Sequence, residues 1–405
     1  MIATCKLYSR QLLHLQKNRC FHNGLATLRN NTEFIKFMPV SALKPRMSPE
    51  ISSLANSKLH SLIWQEPMRN IFVTKKPRTK STKDAMVEFI SYVQDTYPDI
   101  NIIVQNRVAE EIKEAFTPGI GKSVKQQRVL YKGEDRDIVD KTDLMVSLGG
   151  DGTILHAVSM FSHAEVPPVL AFSLGTLGFL LPFKFQEYKS VFESILNSNA
   201  KCLHRSRIVC HLVRKGESNK TLQKYALNDI FVHRGNSPHL AHMDIYSGGV
   251  HLTNTIADGI VISTPTGSTA YSLSSGGSIV SPLVPSILLT PICPRSLSFR
   301  PVILPSSSHI KVVIRSKLNQ NNEEQTLKLS VDGMPQEDLH DGDEVHVFSD
   351  TGTIHPDGID CSFKATESIK YQGVYCIAKS ENDWIRGINE LLGFNSGFRA
   401  SQKIT

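Results

Sequence analysis

The stretch DLMVSLGGDGTILHA, residues 143–157, runs from apolar side chains into glycines and then into a helix-like pattern. Such turns bind anions through backbone N–H groups and a helix N-terminus. An aspartate, Asp151, stands in the middle of this one. A Walker loop requires a lysine after its last glycine, and none follows here. The dinucleotide fingerprint requires a small residue at its last position, where counting from Gly150 places Leu155. Neither template accounts for the turn. Asp151 would also suit a plain helix N-cap.

A second stretch, TPTGSTAYSLSSGGSIVSP at 264–282, packs Gly, Ser and Thr between two β-like runs. Its glycines permit close approach of backbone to a ligand. The hydroxyls of Thr266, Ser268 and Thr269 offer uncharged hydrogen bonds, and Tyr271 offers an aromatic surface. That set suits a ribose and a base better than a phosphate. Upstream, Asn228 and Asp229 immediately precede the run Ile230–Val232, and an Asn amide can read an adenine edge. Asp258, in TIADG, precedes another β-like run. Each of these two signals also has a plain reading as a turn at a strand end.

The elements that must carry these residues change character along the chain. From about residue 69 strands alternate with helices: NIFVTKK (70–76), a helix over 82–98 capped by Ser81 or Thr82, NIIVQ (101–105), and a helix over 108–116. A looped stretch at 117–135 holds a short strand at Val129–Tyr131. The strand ahead of Asp151, a helix through Met160, the strand PVLAFSL and a helix at 186–198 follow. This alternation predicts a parallel sheet with helices on its faces. From Cys202 to about Phe348 short β-rich runs with turns predict an antiparallel domain, with a hairpin at YSGGV (246–250). SENDWIRGINELLG (380–393) reads as a helix with Ser380 and Asp383 as a capping box and Gly393 as its stop. Its stripe of Trp384, Ile388, Leu391 and Leu392 must pack, and the first domain is the expected place.

The fold class expected is therefore α/β plus all-β: a Rossmann-like parallel α/β domain over 66–200 and an antiparallel, β-sandwich-like domain over 201–350. A loop and helix over 351–405 return to the first domain. Residues 1–65 are expected to form a mitochondrial transit peptide and disordered segment. They contain no acidic residue before Glu33, and Lys6, Arg10 and Lys17 share one helical face while Tyr8, Leu12 and Leu15 share another. Leu7 and Leu13 blur that pattern.

Charge narrows the partners. Of the net +7, residues 1–50 contribute +6, so the remaining 355 are nearly neutral, which argues against a nucleic-acid partner. No apolar run approaches the roughly 20 residues that span a bilayer, which argues against a membrane. The seven cysteines are scattered with no C-x-x-C pair, so neither a zinc site nor a disulfide framework is indicated.

Taken together, GGDGT, the Asn228–Asp229 pair and TPTGSTAY, in that order, resemble the NAD kinase family over about residues 65–350. GGDG is shared with diacylglycerol kinases and phosphofructokinases, but TPTGSTAYSLSSGGSIV is not. GNSPHL, SPLVPSILLTPICPRSLSFRP and ENDWIRGINELLGFNS further resemble the fungal mitochondrial NADH kinases. The resemblance implies an ATP-dependent kinase acting on the adenosine-ribose 2′-hydroxyl of NADH or NAD⁺ in the mitochondrial matrix. Within it, Asp151 matches the acid that takes the hydroxyl proton, and Gly149, Gly150, Gly152 and Thr153 match the turn around the phosphates. Asn228, Asp229, Thr266, Thr269, Ala270 and Tyr271 match dinucleotide-binding positions, and Asp258 an acid near the nicotinamide end. GTLGFL (175–180) and SVDG (330–333) also match family segments. Mg²⁺ or another divalent cation arriving with ATP is implied as cofactor, with no metal-binding side chains assigned, and a homo-oligomer as assembly. The alternatives are a GGDG-type lipid or sugar kinase and a non-catalytic dinucleotide-binding regulator.

Overall fold

A computed structural model describes residues 35–53, 57–116, 127–162, 164–175, 178–216, 221–315, 325–350 and 373–393. The expected leader before residue 35, residues 351–372 of the expected loop, and the tail after 393 lie outside the described residues.

Five parallel strands build one end of a large mixed sheet, in the spatial order Arg128–Gly133, Asn101–Gln105, Asn70–Lys75, Leu144–Gly149 and Val169–Ser173. The strands Asn70–Lys75 and Leu144–Gly149 sit mid-sheet and are buried almost throughout. That is why they read as near-continuous apolar runs rather than alternating ones. Helix Lys80–Thr96 buries Met86, Phe89, Ile90 and Val93 against one face. Helix Asp151–Ser159 buries Ile154, Ala157 and Val158 on the other. The first of these helices begins at Lys80, ahead of both predicted caps, Ser81 and Thr82. Its Thr82 hydroxyl bonds back to the carbonyls of Lys76 and Thr79 instead of capping.

Two six-stranded sheets, each antiparallel throughout, follow. Alternate residues of both sheets meet in one core: Cys210, Met243, Ile245, Val312 and Val345 from one, Ile230, Val232, Ile260, Ile262 and Leu289 from the other. The period of two leaves Asp229, Phe231, Val261, Ser263 and Thr290 on the opposite face of the second sheet. The hairpin between Ala241–Ser247 and Val250–Ala257 turns on Gly248 and Gly249, both at positive φ.

Two parts of the large sheet depart from expectation. Residues 35–53 and 57–63 are not an unstructured leader, since Ile35–Pro39 pairs with Arg128–Gly133, and Glu50–Ser53 and His60–Ile63 extend the opposite edge. Ile35, Leu59 and Leu62 are buried there, so apolar contacts outweigh the basic composition. Second, Val374–Ala378 forms an unpredicted strand between Val169–Ser173 and Lys201–Arg205. The chain thus returns to the first sheet through a strand before helix Asp383–Leu392. Ahead of that helix Asp383 Oδ2 accepts the Ser380 N–H at 3.0 Å, half of the predicted box. The N-cap is Asn382, whose side chain makes no capping bond, and Gly393 ends the helix at φ 57°. Gly387 is the helix's buried residue, set against the Phe179 ring. Much of the apolar stripe stays partly exposed.

Candidate active site

After Asn70–Lys75 the chain winds outward through Asn101–Gln105 to Arg128–Gly133, then reverses and places Leu144–Gly149 on the other side of Asn70–Lys75. In open α/β sheets ligands bind at such a switch point, outside the carboxyl ends of the strands. The turn Gly149–Gly152 lies there, with the exposed Lys76 beside it: the Lys76 N–H donates to the Leu148 carbonyl at 2.9 Å. A Cβ on Gly149 would lie 2.5 Å from the Thr153 hydroxyl, so glycine lets Thr153 fold over the turn. A Cβ on Gly150 or Gly152 would meet no protein atom within 4 Å. Those two positions therefore face open space, where a ligand has room.

Asp151 is the first helical residue, and Gly150 is the N-cap. Its carboxylate does not cap its own helix. Oδ2 accepts the Phe179 N–H and Oδ1 the Leu180 N–H, each at 3.1 Å. It lies directly over Gly178, where a Cβ would approach Oδ1 to 2.3 Å. Burial raises the Asp151 pKa above the ordinary aspartate value, while the two N–H bonds and the nearby Arg205 charge pull it down. A raised pKa makes a carboxylate a better proton acceptor.

The second turn is held by its own hydroxyls. Thr264 donates to the Leu227 carbonyl at 2.5 Å and accepts the Gly267 N–H at 3.0 Å. Its own N–H reaches the Asn228 carbonyl at 2.9 Å. A Cβ on Gly267 would lie 2.1 Å from that carbonyl oxygen, so only glycine allows this approach. Ser268, expected to face a ligand, is instead fully buried, donating to the Pro265 carbonyl at 2.6 Å and accepting the Val280 N–H at 3.0 Å. Thr269 bonds back to the Thr266 carbonyl at 3.1 Å. Tyr271 is 41% exposed, its ring edge-on to Phe231 with centroids 4.9 Å apart, which leaves aromatic surface free. Ala270 lies between these two residues and is partly exposed.

Asp332 of SVDG accepts the N–H groups of Leu227, Asn228 and Asp229 at 2.8, 2.7 and 3.1 Å. That grip fixes the Asn228–Asp229 corner. Leu227 itself is buried with Ile154, Leu180 and Leu181 of the first domain, joining the two domains at the site. Asp229 is buried, and burial followed by the Asp332 charge raises its pKa. Asp258 stands apart. It immediately precedes strand Gly259–Ser263, roughly 20 Å of extended chain from Thr264 at the other end. Its carboxylate is paired with Arg234 at 2.6 Å.

The structure adds residues that sequence reading passed over. Arg205, at the end of Lys201–Arg205, is 6% exposed. It donates to the Thr266 hydroxyl at 3.2 Å and to the Phe179 carbonyl at 3.1 Å. Both partners are far away in sequence, so no local pattern marks it. Gly178 and Asp332 lay within segments noted by resemblance, and Lys76 lay in an unremarked basic run. Among the described residues no three His, Cys, Asp or Glu side chains gather as a metal-ligand set. A cavity of about 260 Å³ is lined in part by the 178–182 loop, Arg205, Lys379 and Trp384. Asp151, Asn228 and Tyr271 do not line it.

A parallel sheet with a glycine-rich, carboxylate-bearing turn at its switch point, faced by a neutral hydroxyl-rich turn on an antiparallel domain, defines a nucleotide-handling α/β plus all-β protein. The ATP-NAD kinase N-terminal domain family matches residues 71–200, and the ATP-NAD kinase C-terminal domain family matches residues 227–353. The chain belongs to the NAD kinase family. It is 56% identical over 386 residues to the mitochondrial NADH kinase POS5 of Saccharomyces cerevisiae, covering 93% of each chain. To the mitochondrial NADH kinase pos5 of Schizosaccharomyces pombe it is 36% identical, covering 93% of this chain and 90% of that one. A crystal structure of yeast NADH kinase complexed with NADH superposes with a TM-score of 0.82 at 57% identity, over 90% of this chain and 98% of the other.

Proposed function

We infer that this chain is a mitochondrial NAD(H) kinase, transferring the γ-phosphoryl group of ATP to NADH, and to NAD⁺, to give NADPH and NADP⁺. The observation that carries the residue-level reading is the half-buried Asp151 carboxylate, held by two backbone N–H groups at an anion-binding turn. The adenosine-ribose 2′-hydroxyl attacks the γ-phosphorus, the new O–P bond forms as the bond to ADP breaks, and the hydroxyl proton passes to Asp151. Such transfer is mainly positioning and charge neutralisation. The N–H groups around Gly149, Gly150, Gly152 and Thr153 receive the phosphates. Asn228, Asp229, Thr266, Thr269, Ala270 and Tyr271 hold the adenosine part of the dinucleotide, and Asp258, with Arg234, lies toward its nicotinamide end. A divalent ion such as Mg²⁺ is carried on the ATP phosphates, where it offsets their charge.

Purified protein with ATP, Mg²⁺ and either NADH or NAD⁺ should yield the phosphorylated dinucleotide. No product from either removes the reading. A lipid or sugar kinase sharing GGDG has no use for the second turn, and a non-catalytic binder has none for Asp151. Delivery to the matrix falls to the basic segment ahead of residue 35, because residues 35–53 and 57–63 contribute strands to the folded sheet. A reporter fused to residues 1–34 that stays cytosolic would remove this. Assembly as a homo-oligomer rests on the family likeness, and a monomeric mass by light scattering would overturn it.

A further inference from the structure

Arg205 is the last residue of its strand, and three residues later Ile208 opens the first strand of the antiparallel domain. It therefore stands where the chain crosses between domains. A buried arginine is costly unless its charge is balanced. Here it makes no direct salt bridge with Asp151 and reaches that carboxylate through one peptide unit.

The Phe179 carbonyl, which accepts from Arg205 Nη2, belongs to the same peptide plane as the Leu180 N–H, which donates to Asp151 Oδ1. A peptide plane is rigid. Holding its oxygen fixes the direction of its N–H, and polarising one end strengthens the bond at the other. Through Nη1 the same guanidinium holds the Thr266 hydroxyl, the start of the turn from Thr266 to Tyr271.

We propose that Arg205 is the positioning residue of this kinase: one planar guanidinium sets the aim of the Asp151 carboxylate and its spacing from the dinucleotide-binding turn. Lysine, a point charge, cannot hold both acceptors in a fixed fork. The indirect link also has a chemical consequence. A direct bidentate bridge would occupy the carboxylate oxygens and lower their basicity. The relay places one neutral N–H on each oxygen, which lowers the basicity less than a guanidinium in contact would and leaves the remaining lone pairs for the incoming hydroxyl. This inference rests on the reading of Asp151 as the base.

The test is steady-state kinetics of the full chain with ATP, Mg²⁺ and NADH for wild type, R205Q and R205K, run as pH profiles with thermal unfolding alongside. R205Q should lower kcat about 100-fold, the usual cost of a displaced reacting group, while KM for ATP stays within about threefold. Its acid limb should move to higher pH, because a positive charge near Asp151 has gone. R205K keeps the charge and loses the fork, so its acid limb should stay in place while kcat falls about tenfold. A wild-type kcat in either variant overturns the proposal. So does a loss in R205Q without movement of the acid limb, which a merely structural residue would give. If R205Q does not fold, R205K decides alone. A wild type that makes no NADPH instead defeats the kinase reading itself.

Discussion

The two glycine-rich turns that face each other across the domain junction are built on opposite principles. The turn at Gly149–Thr153 presents a charge, Asp151, and that carboxylate is gripped only from another loop, by the N–H groups of Phe179 and Leu180. The turn at Thr264–Val280 contains no charged residue, and its hydroxyls are spent on its own backbone, as Thr264 and Ser268 show. One turn has its shape set by the sheet and keeps a side chain for chemistry. The other uses its side chains to make a shape. Substitutions in the first should therefore change rate, and substitutions in the second should change stability and dinucleotide affinity.

Asp151→Asn gives the sharpest break. It keeps size and one of the two accepting oxygens and removes the proton acceptor, so kcat should fall about 10²–10⁴-fold. Thermal unfolding should stay near wild type, since relief of the partly buried charge is offset by the one backbone N–H, of Phe179 or Leu180, left facing the amide nitrogen. NADPH production at the wild-type rate would take Asp151 out of the base role.

Gly267→Ala should act in the reverse sense. The added methyl collides with the Asn228 carbonyl, a backbone atom that Asp332 holds through the neighbouring N–H groups. The cost should reach or exceed the usual overpacking range of about 1–3 kcal/mol. Calorimetry should show the loss, and kinetics a raised KM for NADH. An unchanged melting temperature and KM would mean that this close approach does not shape the site.

Ser268→Ala tests the same turn more gently. It removes the acceptor for the buried Val280 N–H and the donor to the Pro265 carbonyl. About 1–3 kcal/mol of stability should go, the cost of stranding a buried polar group. Because the hydroxyl faces inward, kcat for the folded fraction should not move. A selective loss of NADH affinity at full stability would return Ser268 to the ligand.

This contrast separates what the sequence made legible from what it hid. The carboxylate-bearing turn was readable because its residues are contiguous and its flanking strand is an uninterrupted apolar run. The hydroxyl-rich turn was readable as a close-packed turn, but the direction of each hydroxyl was not. Ser268 and Thr269 are equivalent in composition, and only the packing of Val280 against the turn sends Ser268 inward. Arg205 was hidden because its two acceptors lie 26 and 61 residues away. The strand Val374–Ala378 was passed over because five apolar residues are too few to carry a period, and its place between two distant strands is a tertiary fact. Residues 35–53 and 57–63 were misassigned because basic composition was weighed over the short apolar pairs that the sheet buries.

The smallest effect expected comes from the corner between the turns, where Asp229 and Asp332 lie close together. Both carboxyls are buried, and that burial, with each charge opposing the other at Asp229, lifts the Asp229 pKa to about 7. A carboxyl whose folded pKa is raised costs stability when it ionises. The cost is absent below about pH 4, where folded and unfolded chains both hold the proton. It grows as pH rises and is complete above about 7. Asp229→Asn removes the charge without shortening the side chain. Its melting temperature should match wild type near the acid end and exceed it increasingly toward neutral pH, by the equivalent of at least about 1 kcal/mol, one pKa unit's worth. A gain that is constant with pH would mean that Asp229 ionises normally in the fold. A gain that rises with pH, together with weaker NADH binding, would show that stability is given up at this corner for the dinucleotide, as the charged turn gives it up for the proton.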